Sequence, residues 1–226
     1  MQSLPPPLLA RFQTEATDLP GVDTAVYDAA GRDRREPVFG LGPRESRIAF
    51  FGRDPGRDEI HHGVPFIGAG GRQLRRVLYR RHHQGEMVTT DQAMAAGEPY
   101  FWLNTVPYKP LGNKAWSMAV KRRFQPLVAA VLTELWAGED VITLGREAFF
   151  WFAIHQPGGL QQTLMHHWQQ PTRFETSLTI DYSTPSGETR CLRLHPLPHP
   201  SPLNATWFKR FPDLLEHRLD ELEVRA

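Results

Sequence analysis

The amino-acid sequence predicts an α/β fold in which a mostly parallel β-sheet is covered by helices on both faces. Short apolar runs of strand length alternate along the chain with longer segments of helical periodicity, which is the pattern of successive βαβ units. Two more strand-like segments near the C-terminus are separated by a connection that contains Pro and Gly. That arrangement indicates a hairpin at one edge of the sheet.

Three strands are predicted where short apolar runs end at Gly or at polar residues: 47–52, 100–106 and 141–144. Three helices are predicted between and after these strands: 72–83, 118–136 and 146–155. In the first of these helices Leu74, Val77 and Leu78 share one face at spacings of three and four residues. In the second, a longer stripe of the same spacing from Val120 to Leu135 indicates a core-facing helix.

The hairpin is predicted over 173–181 and 189–195, with its connection at 183–188. Asn204 is placed to cap a last helix that ends near residue 223, and Pro212 is expected to kink that helix or split it in two. The polar connection 156–170 receives no assignment.

The domain organisation follows from composition. Residues 1–44 are rich in Pro, Gly and Arg and are expected to form an arm packed on the rest of the chain, with one short helix over 8–16. Residues 45–226 are expected to form a single domain, since 226 residues suffice for one well-buried domain of ordinary size.

The bulk numbers exclude several classes of protein. Hydrophobic residues make up 40% of the chain, charged residues 23%, and the net charge is +1, so any nucleic-acid contact must rest on local patches. One cysteine excludes a disulfide framework within the chain, a cysteine-based zinc site and a four-thiolate iron–sulfur cluster. No apolar run approaches membrane-spanning length and the chain starts without a signal pattern, so a cytoplasmic protein without membrane contact is expected.

Polar and aromatic residues follow three of the predicted strands. Asp54 and Phe66 lie in the loop after the first strand, Asn104 at the end of the second, and His199 after the last. Because ligands bind outside the carboxyl ends of parallel strands, these four side chains are expected to meet at one rim of the sheet.

This set of side chains suits a planar, polar ring as substrate. Asn104 offers a donor and an acceptor to the amide edge of a pyrimidine, and Phe66, held by the preceding proline, can stack on its face. His199 can hydrogen-bond a ring carbonyl that gains negative charge as the ring departs. Asp54 can orient a water molecule and stabilise a developing positive sugar.

The loop that carries His199 is stiffened by four prolines within residues 196–202. Ser201 is available to a phosphate, and Leu203 forms an apolar tip that suits insertion into a base stack. Cleaving a base from its sugar inside a duplex requires flipping the nucleotide, at a cost of roughly a few kcal/mol that such a wedge offsets.

At these residues the sequence resembles the uracil-DNA glycosylase superfamily. H-P-S-P-L at 199–203 is similar to the leucine loop of the classical uracil-excising family, and G-R-D-P-G at 52–56 to its water-activating motif. G-V-P-F-I-G-A-G-G-R-Q-L at 63–74 and V-P-Y-K-P-L-G-N-K at 106–114 look more like the family 4 glycosylases. The resemblance implies a three-layer αβα fold around a short, mostly parallel sheet, no cofactor, and DNA, single- or double-stranded, as the partner of a monomer.

With the resemblance included, the expected site has three groups of residues and no metal. The expected catalytic residues are Asp54, His199 and Glu59. The expected base-contacting residues are Gly52, Arg53, Phe66 and Asn104. The expected DNA-contacting residues are Arg72, Lys109, Pro198, Pro200, Ser201, Pro202 and Leu203. Six more basic residues are candidate phosphate contacts, although each could equally be an ordinary solvent-exposed charge: Arg75, Arg76, Lys114, Lys121, Arg122 and Lys209.

Three departures from the resembled families bear on the chemistry. Family 4 members bind an iron–sulfur cluster through cysteines that this chain lacks. They also carry one acid at the position of Arg53 and another at that of Glu59, which leaves open whether Asp54 or Glu59 activates water. The classical family has a thymine-excluding tyrosine where this chain has Gly56, so a pocket that accepts larger or modified bases is expected.

Two other functions fit the same residues. A superfamily member that binds damaged DNA without cleaving it is the first, because the water-activating motif is a hybrid. The second is a metal-dependent phosphoesterase that uses Asp54, Asp58 and His61. The paired histidines in the chain are poor chelates, because adjacent residues point in different directions.

Overall fold

The computed structural model describes residues 3–112 and 114–224, so Asn113 in the predicted 106–114 loop lies outside the described residues. Its strands are β1 (Ile48–Gly52), β2 (Phe101–Asn104), β3 (Asp140–Leu144), β4 (Leu178–Ser183) and β5 (Thr189–Leu197). They form one sheet in the order β2-β1-β3-β5-β4. All neighbours are parallel except β4 and β5, which form the antiparallel edge hairpin. The predicted fold class is confirmed.

Ten helices surround the sheet in the described part of the chain. Those before β3 are α1 (Pro6–Ala16), α2 (Thr24–Ala29), α3 (Arg57–His62), α4 (Ala69–His82), α5 (Thr90–Ala95) and α6 (Met118–Glu134). Those after β3 are α7 (Arg146–Trp151), α8 (Gly158–Gln169), α9 (Ala205–Phe208) and α10 (Phe211–Val224). No helix among the described residues is long and apolar enough to cross a membrane.

Two hydrophobic clusters lie on opposite faces of the sheet, because successive residues of a strand point to opposite sides. In β1, Ala49 and Phe51 join the cluster built with α1, α6, α7 and α8. Ile48 and Phe50 join the cluster built with α4, α5 and α10. The chain therefore has three layers, helices, sheet and helices.

The N-terminal segment is joined to the rest of the chain by packing and by backbone hydrogen bonds. Phe12 of α1 is fully buried and stacks on Phe124 of α6 with ring centroids 6.4 Å apart. Further along, Asp23 N donates to Lys109 O (3.1 Å) and Leu111 N donates to Gly21 O (2.7 Å). The loop after β2 is thus braced by the segment that precedes α2.

Several predicted boundaries are wrong, and short-range interactions explain them. The strand predicted from 173 starts at Leu178, because residues 170–176 form turns such as Glu175 N to Thr172 O. The unassigned 156–170 connection is largely α8, and the helix predicted over 146–155 ends at Trp151. The last helix is split as predicted, with Pro212 in the first turn of α10, where a missing N–H costs nothing.

Candidate active site

The loops after β1, β2 and β5 meet at one cleft of about 920 Å³ at the carboxyl ends of the strands. The sequence-predicted residues that line it are Gly52, Arg53, Asp54, Glu59, Phe66, Asn104, Lys109, His199, Pro200, Ser201, Pro202 and Leu203. Arg72 and Pro198 are not among its lining residues. A more apolar cavity of about 520 Å³ lies beside Trp102 and Tyr100, and none of the expected catalytic or base-contacting residues lines it.

The Asp54 carboxyl is buried within this cleft, with a side chain only 1% exposed. Its Oδ2 lies 3.1 Å from Nε of Arg53. Its Oδ1 lies 3.3 Å from the hydroxyl oxygen of Thr105, whose single proton is shared with Arg53 O at 2.5 Å. Burial raises the pKa of Asp54 to about 7, against the opposing effects of the Arg53 and Lys121 charges and the Thr105 bond. A carboxyl with that pKa exchanges between its neutral and charged forms near neutral pH.

Glu59, the other candidate acid, uses both of its carboxylate oxygens to accept hydrogen bonds from backbone N–H groups. Its Oε2 accepts a hydrogen bond from Gly56 N (2.9 Å) and its Oε1 accepts one from Gly68 N (2.8 Å). The carboxylate therefore ties the loop that carries Asp54 to the start of α4. This geometry favours Asp54 over Glu59 as the group that faces a water molecule.

Phe66 is held in place by a buried arginine. Phe66 has a left-handed backbone with φ of 58°, a conformation that costs about 1–3 kcal/mol in a residue with a side chain. Arg75 of α4 donates from Nε to Phe66 O (2.8 Å) and from Nη2 to Pro65 O (3.0 Å), and its guanidinium stacks 4.4 Å above the Trp102 ring. Arg75 is thus a buried structural residue and not a phosphate contact.

The Phe66 ring lies directly over Gly52, at the end of β1. A Cβ atom on Gly52 would fall 2.4 Å from Cζ of Phe66 and 3.2 Å from Oδ1 of Asn104. Glycine at this position therefore lets the aromatic ring and the amide approach each other across the strand end.

Asn104 ends β2 directly beside Gly52 in the strand register. It is 3% exposed, and its side chain makes no hydrogen bond to the described residues. The residue lines the cleft, and its amide atoms are not among the fully enclosed unpaired side-chain atoms of the described residues. Its donor and acceptor are available to a ligand with a complementary edge.

His199 packs against Gly145, the residue after β3, which has φ of 92°. A Cβ on Gly145 would lie 2.9 Å from Cβ of His199, so the close approach also requires glycine. Burial lowers the pKa of His199 to about 4, and the nearby charge of Arg53 acts in the same direction. The imidazole is therefore neutral at neutral pH and keeps one N–H to donate.

The loop after His199 is braced while its tip is exposed. Ser201 N donates to His199 O (2.9 Å), and Leu203 N donates to Oγ of Ser201 (3.3 Å). A Cβ on Gly70 of α4 would lie 2.3 Å from Pro200 O, so the helix packs closely on this loop. Leu203 is 88% exposed, the form expected of an apolar wedge. Asn204 occupies the predicted N-cap position but makes no side-chain cap bond.

Two of the predicted phosphate-contacting lysines have other partners. Lys109 Nζ donates to Asp23 (2.9 Å), Pro110 O (3.0 Å) and Gly112 O (2.7 Å), which uses all three of its protons. Lys121 is buried in an ion pair with Glu147. Arg72 is half-buried and donates to Oγ1 of Thr90 (3.2 Å). The exposed cations of the predicted set are Arg76, Lys114, Arg122 and Lys209.

Sequence reasoning missed three parts of the site. Thr105, which contacts Asp54, directly follows Asn104 and could have been found from that adjacency. Asp23 and Val26 line the cleft from the N-terminal segment, and no local pattern indicates this. The close packing of His199 against Gly145 joins residues that are distant in the chain, so the sequence could not indicate it either.

The geometry gives no support to the metal-dependent alternative. Asp58 and His61 are exposed on α3, whereas the Asp54 side chain is buried beside an arginine. Across the described residues, no group of three His, Cys, Asp or Glu side chains is arranged to hold a metal ion.

Comparison with known families gives one result. Residues 39–223 match the family model for the uracil DNA glycosylase superfamily, a span that includes β1 to β5 and every predicted site residue. Comparison with curated proteins gives no match.

Proposed function

The chain belongs to the uracil-DNA glycosylase superfamily, and from that premise we propose that it is a DNA repair glycosylase which hydrolyses the N-glycosidic bond of uracil in DNA. The observation that carries the proposal is the convergence of four side chains on one cleft. A buried acid, an unpaired amide, an aromatic ring and a neutral histidine meet there, beside an exposed leucine.

Recognition begins with extrusion of the nucleotide from the base stack. Leu203 enters the duplex and fills the space that the flipped base leaves, which offsets part of the roughly few kcal/mol cost of unstacking. In the cleft, Phe66 stacks on the base, and the buried amide of Asn104 pairs with the edge of uracil that carries N3–H and a carbonyl.

Hydrolysis develops positive charge on the sugar and negative charge on the departing base. Asp54 stabilises the first charge and His199 the second. As the bond between C1′ and N1 breaks, ionised Asp54 stabilises the cationic sugar and orients the water whose oxygen bonds to C1′. Neutral His199 donates a hydrogen bond to the carbonyl oxygen of the departing uracil anion. Burial keeps His199 neutral near neutral pH, as its role requires, whereas Asp54, with a pKa of about 7, is ionised in only part of the molecules there.

A strand-cleavage assay tests this function. A labelled duplex with one uracil is incubated with the protein in excess chelator and treated with alkali, which breaks the strand wherever a base has been removed. Breaks confined to the uracil are expected. If folded protein gives no breaks yet forms a tight complex with the uracil duplex, the chain is a non-catalytic damage-binding member, and activity that disappears in chelator would indicate the phosphoesterase.

The base specificity is proposed to be broader than uracil alone. At Gly56 the space of a side chain is filled by the Glu59 carboxylate, whose Oε2 would lie 2.6 Å from a Cβ, so no ring projects from this position against the 5-position of a pyrimidine. We expect measurable excision of 5-substituted uracils in the same assay, with hypoxanthine as a further substrate to compare. Strict uracil-only activity would contradict this.

Leu203→Ala is expected to weaken excision from duplex DNA far more than from single strands. The loss of the wedge leaves the unstacking cost unopposed, so kcat/KM on a uracil duplex should fall by roughly 10–100-fold, within the few kcal/mol that flipping costs. On a single-stranded uracil oligonucleotide the rate should change by less than about threefold, since no partner strand holds the base.

Val88→Ala is the matched control for Leu203→Ala. Val88 is also an exposed aliphatic residue, 74% exposed, and does not line the cleft. Val88→Ala should leave the excision rate on both single- and double-stranded DNA unchanged. Equal losses on single- and double-stranded DNA for the leucine variant would argue that Leu203 supports the fold of the loop and not flipping.

A further inference from the structure

The Asp54 carboxyl is in an environment that opposes its charged form. The side chain is 1% exposed, and burial of that degree favours the neutral acid. A neutral acid cannot stabilise a sugar cation, so the site needs a compensating positive charge close to Asp54.

The charged and titratable groups around Asp54 come from four parts of the chain. Arg53 on the same loop approaches its Oδ2 to 3.1 Å. Lys121 of α6 is paired with Glu147 of α7, and at Asp54 the favourable effect of Lys121 is smaller than that of Arg53 but larger than the opposing effect of Glu147. Thr105 after β2 supplies an uncharged hydroxyl, and His199 after β5 is neutral.

Resting on the function proposed above, we propose that Arg53 is the positioning residue that favours the ionised form of the buried Asp54 carboxylate in the cleft, through the 3.1 Å approach of its Nε to Asp54 Oδ2. The guanidinium is always charged at physiological pH, is half-buried, and lines the same cleft as Asp54 and His199.

Replacing Arg53 should shift the pH dependence of the excision rate and not merely lower the rate by the same factor at every pH. Single-turnover excision is measured between pH 5 and 9 for wild type, Arg53→Gln and Arg53→Lys. In Arg53→Gln the midpoint of the rising limb should move to higher pH by at least about one unit, because an adjacent opposite charge lowers an aspartate pKa by about 1–3 units. The rate should then fall about tenfold at pH 6 and recover towards wild type at pH 9.

Two further variants separate charge from structure. Arg53→Lys keeps the positive charge, so the midpoint of its rising limb should lie close to that of wild type. Arg57→Gln removes a more exposed arginine four residues on, whose side chain is 80% exposed, and should leave the midpoint in place. A loss in Arg53→Gln that is uniform across pH, or an unchanged profile, would overturn the proposal and assign Arg53 to binding or to no role.

A titration independent of activity keeps this test separate from that of the function. The Asp54 carboxyl carbon is followed by NMR against pH in wild type and Arg53→Gln, with Asp54→Asn to assign the signal. A midpoint that rises in Arg53→Gln supports the proposal even if wild type excises no base, in which case the proposed function alone fails. Equal midpoints in the two proteins overturn the role of Arg53 whether or not the protein is an active glycosylase.

Discussion

Asp54→Asn is expected to abolish most base excision and, at the same time, to make the folded protein more stable at neutral and alkaline pH. The activity should fall because asparagine can neither orient water as a base nor stabilise a cationic sugar by its charge. A positioned acid or base contributes about 10²–10⁴-fold to a rate, so a loss of that size is expected on both duplex and single-stranded uracil substrates.

The gain in stability follows from the sign of the pKa shift. The pKa of Asp54 is raised from 3.8 to about 7 on folding, chiefly by burial, so the folded state binds a proton more tightly than the unfolded state. Stability is therefore lost as the pH rises from about 4 to 7, and the full penalty, about 4 kcal/mol for three pKa units, applies above 7. Asparagine is uncharged at every pH and avoids that penalty.

Thermal unfolding at pH 5 and pH 8 measures the effect. The difference in Tm between Asp54→Asn and wild type should reach about a third of its full size at pH 5 and should grow by several degrees at pH 8, since about 1 kcal/mol corresponds to about 2–4 °C in a chain of this size. Asp58→Asn is the control, because Asp58 is half exposed and pairs only loosely with Arg57 at 3.6 Å. A variant less stable than wild type at pH 8 would show that Asp54 is ionised in the fold at little cost.

The fold class could be predicted from the sequence because it depends on apolar patterning. The strands at 48–52, 101–104 and 140–144 are fully buried runs, and α4 and α6 carry continuous apolar stripes. The missed helices α2, α3 and α5 have six residues each. Isolated helices of that length are unstable, so packing decides whether they form. Only α5 has a capping box formed by side chains, Thr89 and Gln92, that the local sequence could have indicated.

The same distinction applies to the site. Asp54, Phe66, Asn104 and His199 could be expected at one rim because each follows a strand, and the structure does bring them to one cleft. Which charges are buried could not be predicted. Lys109 looks like a free cation in the sequence, and its partner Asp23 lies 86 residues away in the chain.

Asp140→Ala is expected to destabilise the fold strongly, because it breaks a buried ionic network at the start of β3. Arg193 donates two hydrogen bonds to the carboxylate, at 2.7 and 2.9 Å. His195 lies 2.9 Å from Oδ1, and its other ring nitrogen lies 2.8 Å from Oγ of Ser177. Removing one partner of a buried pair costs about 3–5 kcal/mol, since the remaining charge is left without compensation.

The pH dependence of the loss identifies its cause. Although burial alone raises the pKa of Asp140, its hydrogen bonds and charge interactions with His195 and Arg193 hold the value at about 2, below the usual 3.8. The stabilisation by Asp140 is therefore fully present above about pH 4 and lost as the pH falls towards 2. Asp140→Ala should lower the Tm by about 10 °C at pH 7, and the difference from wild type should narrow in acid.

Glu139→Ala provides the comparison at the neighbouring position. The Glu139 side chain is 57% exposed, and its carboxylate comes no closer than 4.0 Å to the Arg193 guanidinium. Removing it should therefore change the free energy of unfolding by less than about 1 kcal/mol. If Asp140→Ala does not fold well enough to be measured, Asp140→Asn, which keeps the shape and loses the charge, replaces it. A Tm for the Asp140 variant as high as that of the Glu139 variant would show that the network does not stabilise the fold. The cleft lies at the opposite, carboxyl end of the same strand, so uracil excision measured well below the Tm should be unaffected by either variant.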